Sequence, residues 1–177
     1  MLQRLITLLR HRWLDESDTR RLLKPETIDQ LTRRVGASER RHTGEIRIVV
    51  EAGLPLSYLW RHCRDKVGMA ALTRERASTL FGKLRVWDTA NNNGVLIYLL
   101  LAERTIELLA DRGVNAFVSA AEWDAMVRRM GLAFAGGRYE DGLTQALEEV
   151  SAVLVANFPA DAAAANPNEL PDGPQVG

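Results

Sequence analysis

The segment Asp88-Thr89-Ala90-Asn91-Asn92-Asn93-Gly94 places an acid, a hydroxyl and three successive carboxamides directly ahead of the apolar run GVLIYLLLA. Carboxylate and amide oxygens are the ligands that hard cations prefer, Ca2+ taking about 6–8 of them flexibly and Mg2+ demanding a stricter octahedron. The same residue types also close turns by bonding their own backbone, and Gly94 suits a left-handed or bulged entry into a strand. A ligand set and a turn are both consistent with these seven residues.

Sharper chemistries fail on spacing. With Gly94 set at the glycine of an EF-hand loop, Thr89 falls where the first Asp belongs and Leu100 where the bidentate Glu belongs. Asp88 has no second Asp beside it of the kind an aspartyl-phosphate mechanism uses. The chain has neither a Walker-type phosphate loop nor a GxSxG elbow. His62 and Cys63 are adjacent, so they cannot share a helix face as ligands. Cys63 reads as a small buried hydrophobe, and His42, a candidate base, reads first as a solvated histidine at a strand start.

Several elements must position the polar segment. TGEIRIVVE, from Thr43 to Glu51, is rich in β-branched residues and predicts a strand. GVLIYLLLA is too continuously apolar for a half-exposed strand and predicts a central one buried on both faces. Helical patterns from Ser57 to Lys66 and Thr73 to Arg85 lie between them, so the two strands form a parallel βαβ unit. TIELLADRG predicts a third strand returning antiparallel through a short hairpin. In that arrangement the starts of the first two strands and the end of the third meet at one edge. Thr43, Glu45, Asp88, Asn91, Asn92, Asn93 and Asp111 become candidates for one oxygen-rich site.

Outside this core, Pro25 opens a helical stripe through Ile28, Leu31 and Val35, and two more helices are expected near 120–131 and 139–158. Leu2, Leu5, Ile6, Leu9 and Trp13 recur at helical spacing with Arg4, Arg10 and Arg12 around the turn. Such a basic amphipathic helix packs on its own domain or a partner, or lies on an anionic membrane surface. From Pro159 onward Ala, Pro, Asn, Asp and Gly predict a disordered tail. The expected division is therefore an N-terminal helix and linker (1–24), an α/β domain (25–158) and a tail (159–177).

Composition bounds the function classes. Apolar residues at 46% and charged residues at 26% are ordinary for one globular domain. Net charge is zero, with 11 Lys/Arg against 7 Asp/Glu in residues 1–50 and 12 against 16 beyond. No global field recruits nucleic acid, and the four Trp lack basic interleaving, reading as core and interface anchors. The single cysteine rules out an intramolecular disulfide and fits a reducing compartment, so a cytoplasmic location is expected. No run reaches the roughly 18 apolar residues of a membrane span, and the charged start does not read as a signal peptide.

TGEIRIVVE, VWDTANNNGVLIYLLLAERTIELLADRGV, a Trp-bearing helix and FAGGRYEDGLTQALEEV, in that order, resemble the TPM domain family of thylakoid acid-phosphatase-like and photosystem II repair-like proteins. The closest likeness is to short bacterial members without signal peptide or transmembrane anchor. The resemblance covers roughly 25–158. It implies a three-layer α/β/α sandwich on a small mixed βαββ sheet with N- and C-terminal helices, in agreement with the element order. It further implies weak acid-phosphatase activity in some members, calcium binding in some, and association with membranes or membrane-protein assembly. The family's acidic loop falls on Asp88, Asn92, Asn93 and Gly94, its strand-end glycine motif on Asp111 and Gly113, and its Thr-x-Glu on Thr43 and Glu45. Many anchored members carry Asp where this chain has Asn92 or Asn93, which lowers the charge offered to a cation.

The expected function is a small binding or scaffold domain, peripheral at the inner membrane face, with a protein partner and a Ca2+ or Mg2+ site but no organic cofactor. The alternatives are a weak metal-assisted acid phosphatase, in which Asp88 and Asp111 hold the cation, and a structural interaction protein acting through residues 2–14.

Overall fold

A computed structural model describes residues 2–14, 16–161 and 168–177 of the chain. The side chains of Leu2, Leu5 and Arg4 in the expected stripe, and 162–167 of the expected tail, lie outside the described residues. Within them run α1 (Leu2–Trp13), α2 (Glu16–Leu22), α3 (Pro25–Glu39), β1 (Glu45–Glu51), α4 (Leu56–Arg64), α5 (Met69–Lys83) and β2 (Gly94–Leu100). A single 3-10 turn leads to β3 (Thr105–Ala110), followed by α6 (Arg112–Asn115), α7 (Ala120–Ala135), α8 (Tyr139–Asn157) and β4 (Gln175–Val176).

The sheet order is β3-β2-β1-β4. β1 and β2 are parallel, with Glu45 opposite Gly94 and Glu51 opposite Leu100, and β3 is antiparallel to β2 from Val95–Ala110 to Leu100–Thr105. All seven residues of β2 are buried, as the unbroken apolar run requires. Alternation sorts its side chains between two cores. Val95, Ile97 and Leu99 join Leu31 and Val35 of α3, Met130 and Phe134 of α7, and Leu143, Val150 and Leu154 of α8. Leu96, Tyr98 and Leu100 join Leu59 of α4 and Leu72, Ala77 and Leu80 of α5. The result is the three-layer α/β/α sandwich. Wholly buried Tyr98 donates its hydroxyl to Glu51 at 2.8 Å, and Arg76 of α5 holds the same carboxylate, tying that helix layer to the sheet.

Several local expectations are corrected. The polar DESDTRR contains a helix, α2, which buries Thr19 and is followed by fully buried Leu23. Of the tryptophans, Trp123 is the core member, while Trp13 is largely exposed and Trp60 and Trp87 are half exposed. Cys63 is half-buried rather than enclosed. Ala160 donates its N–H to the Arg41 carbonyl, and residues 168–177 return to the sheet instead of forming a disordered tail. Val49 and Val50 pair in parallel with Gln175 and Val176, and Arg47 donates to the carbonyls of Pro171 and Gly173, both at 2.8 Å. The tail carries few apolar residues, but its backbone satisfies the exposed side of β1, which composition does not report.

Ahead of that pairing, α3 supplies a substitute partner. Glu39 accepts the Ile46 N–H at 3.0 Å. Burial pushes its carboxyl up to about 8; the Ile46 hydrogen bond opposes the shift, and nearby Glu45 and Asp172 add to it. A carboxyl raised in the folded state contributes stability that is complete below its unfolded value near 4.5 and is lost as pH rises through about 8. Glu39→Gln keeps an acceptor for Ile46 without the buried charge. We expect its melting temperature to exceed that of the unmodified protein above pH 8, by an equivalent on the order of a few kcal/mol, and the gap to close near pH 5. Thermal melts across that range measure it.

Candidate functional site

The polar strand ends do converge. The Asp111 N–H donates to the Gly94 carbonyl at 2.9 Å, and the Gly113 N–H donates to the Asn92 carbonyl at 2.9 Å, so the end of β3 is laced to the entry of β2. On the other side Asn93 Nδ2 donates to Thr43 Oγ1 at 3.2 Å, reaching the approach to β1. Within the loop the Asn92 N–H bonds the Thr89 carbonyl, and the Asn93 N–H bonds Thr89 Oγ1 at 3.0 Å.

The roles within the segment differ from a simple glycine hinge. Asn92, not Gly94, takes the left-handed conformation, at φ 52°, which Asn tolerates better than most residues. Gly94 instead permits close approach, because a Cβ there would lie 1.9 Å from the Val86 carbonyl oxygen. Gly113 is similarly pressed, with the Asn92 oxygen 2.5 Å from where its Cβ would be. Two chain crossings thus depend on glycine at the very place where the polar groups gather.

The candidate residues divide by how their oxygens are used. Asp88 is half exposed, with its carboxylate 2.5 Å from the Arg85 guanidinium, and Asn91 is exposed. Asn92 Oδ1 accepts from Arg112 Nε at 3.0 Å, and Thr43 Oγ1 serves Asn93. Glu45 is 1% exposed and accepts the Leu170 N–H at 3.0 Å. Burial raises the Glu45 carboxyl, against the pull of the Glu169 and Leu170 backbone donors. Its carboxylate serves the returning tail.

Two oxygens remain. Asn93, wholly buried, has no hydrogen-bond donor for Oδ1, and Asp111, which caps α6 by accepting the Arg112 N–H at Oδ1, has none for buried Oδ2. An unsatisfied buried acceptor costs roughly 1–3 kcal/mol, so each orphan calls for a partner. Among the described residues no three His, Cys, Asp or Glu side chains gather closely enough to hold a metal. A cation here would depend on Asp111 for charge and on Asn93 for an amide oxygen, a donor set chemically suited to Ca2+ or Mg2+ but poor in charge.

His42 is not solvated. It is fully buried with Nε2 2.7 Å from Ser38 Oγ, beneath a bridge to Pro159, and burial pushes its imidazole down to about 4. Ser38 in turn donates to Ser151 Oγ at 2.5 Å, joining α3 to α8. Ser151 and the Pro159 bridge are both remote from His42 in sequence, so local pattern did not report the enclosure.

A family model for the TPM domain matches residues 17–153, well over half of the sequence. The chain belongs to the TPM domain family. The match ends before β4, so the strand that completes the sheet lies outside it. The fold resembles the solution structure of the BA42 protein from the psychrophilic bacterium Bizionia argentinensis. The TM-score is 0.70 at 25% identity, covering 87% of this chain and 94% of that one. The N-terminal domain of a P. gingivalis protein shares the fold at a TM-score of 0.58 and 20% identity, covering 77% and 79%. No curated protein matches the chain.

Glycine at the β2 entry is open to a direct check. Gly94→Ala should cost about 3 kcal/mol or more or prevent folding, since backbone must move to admit the methyl group. Gly82→Ala, in a helical position with open space around it, should be neutral or stabilising by up to about 1 kcal/mol. Urea unfolding of the two variants beside the unmodified chain gives the comparison.

Proposed function

We propose that this TPM domain is a binding module whose polar edge holds a hard divalent cation, Ca2+ in preference to Mg2+. The observation that carries the reading is the pair of buried, donorless oxygens, Asn93 Oδ1 and Asp111 Oδ2, at one end of the β2–β3 ladder. A bound cation is a partner that such acceptors lack, with backbone carbonyls and water to complete its shell. Ca2+ is favoured because it accepts irregular oxygen sets that Mg2+ does not. With one carboxylate in the set, affinity belongs in the weak range, around 10⁻⁴–10⁻³ M.

Phosphoryl transfer asks for more than this edge supplies. A phosphatase needs a nucleophile or activated water, a general acid and cationic groups aimed at the phosphate. Arg112 is engaged with Asn92, and Asp88 with Arg85. Binding therefore stands ahead of catalysis. A protein partner, and the membrane-protein assembly implied by the resemblance, form the setting in which such a module would act.

Thermal melts with Ca2+, Mg2+ or chelator test the reading, since a ligand bound only by the native state raises stability by RT ln(1 + [L]/Kd). At millimolar Ca2+ the melting temperature should rise by a few degrees. Asp111→Asn, which keeps a good helix cap, should abolish the rise, Asn93→Asp should enlarge it, and Asp88→Ala should leave it intact. No Ca2+ response at millimolar concentration, or one that survives Asp111→Asn, refutes the site.

A further inference from the structure

Helix α1 is attached to the domain by a mostly polar side, on which Leu8 also packs against the core under α4 and α5. Thr7 and His11, four residues apart and so on one helix face, are both buried. His11 Nδ1 accepts the Leu54 N–H at 3.0 Å, which leaves the proton on Nε2 to be donated to Glu103 Oε1 at 3.0 Å. Arg10 donates to the Ala102 carbonyl at 3.2 Å and lies 3.6 Å from the same Glu103. These bonds pin the helix to the loop after β1 and to the turn between β2 and β3.

The opposite face is apolar and uncovered. Ile6, Leu9 and Trp13 recur at i, i+3 and i+7, and they are 43%, 47% and 80% exposed. An amphipathic helix that only packed on its own domain would present this stripe inward and leave Thr7 and His11 to water. Here the orientation is reversed, and water is held against three large apolar side chains.

We propose that this face of α1 rests on the surface of an anionic lipid bilayer. The rim carries the matching charge. The twelve residues of α1 include no acid, Arg12 is exposed beside the stripe, and Arg20 and Arg21 of α2 are exposed as well. Asp15, Glu16 and Asp18 follow α1 in the sequence, Asp18 lying 3.6 Å from Arg21, and Glu103 is occupied by His11 and Arg10. Basic side chains beside an apolar stripe containing tryptophan suit the headgroup boundary, where the stripe enters the acyl region and the guanidiniums meet lipid phosphates. No helix among the described residues is long and apolar enough to cross a bilayer, so α1 lies in the interface plane. A second copy of the chain fits less well, because a two-fold pairing of this face would set arginines of one sign together. Between α1, α2 and the β2–β3 turn, a cleft of about 750 Å³ lined by Arg10, Leu14, Leu22, Leu101 and Arg104 offers apolar walls with two cations to a lipid headgroup and the start of its chain.

The full chain should co-sediment with phosphatidylcholine vesicles containing phosphatidylserine at low salt. It should bind pure phosphatidylcholine at least tenfold more weakly and be released by high salt. Leu9→Ser/Trp13→Ser should cut binding by tenfold or more, while its melting temperature stays unchanged because both side chains are already exposed. Three results would overturn the proposal. They are absence of binding to the anionic vesicles, binding that survives the double substitution, and a dimer in solution that the double substitution returns to monomer, which would make a second copy the occupant. Cation response at the other edge is measured without lipid, so either assay can fail while the other stands.

Discussion

Strand β2 has no exposed face, and that constraint organises the molecule. With all seven of its residues buried, each backbone group must be paired within the sheet, so β1 and β3 flank it on both sides. Side chains alternate above and below, so apolar helices must cover both layers. β1 runs parallel to it, and a parallel neighbour requires a crossover, which α4 and α5 supply. Their return leads through the Val86 region into Gly94 so tightly that only glycine fits. The polar loop therefore sits where an enclosed strand begins, and its backbone is held by its own side chains and by the incoming end of β3.

Much of this was legible because it rests on local pattern. The apolar run from Gly94 could only be a doubly covered strand, and strand directions alone brought Thr43, Asn93 and Asp111 to one edge. What escaped depends on distant partners. α2 has a polar sequence and is anchored by a few inward residues such as Thr19. His42 looked like a solvent residue because Pro159, which bridges to it, is remote in sequence. The tail looked disordered because its bonds to β1 run through its backbone. In each case a tertiary contact overrode composition.

The same distinction holds within the candidate site. Residue type offered Asp88, Asp111 and Glu45 as the charged members, yet Arg85 holds the first and the returning tail holds the last. The oxygens left without donors belong to Asn93 and Asp111. No spacing rule separates these pairs, because the decision lies in which lone pairs the fold has already used. The helix α1 is a parallel case: its periodicity was plain, while which side faced the domain depended on Glu103 and the Leu54 N–H.

The late return of the chain to β1 also bears on how the protein is made. Arg47 and the Gly173 carbonyl it binds are 126 residues apart, so the flank of β1 is made long before its cover. A bare strand edge in a nascent chain is a template for the wrong neighbour. In the finished fold Glu39, just ahead of β1 in sequence, occupies the Ile46 N–H, so that position of the edge has no donor left for a strand from another molecule. The buried carboxyl that costs the fold stability at high pH thus also closes one position of the sheet's open flank.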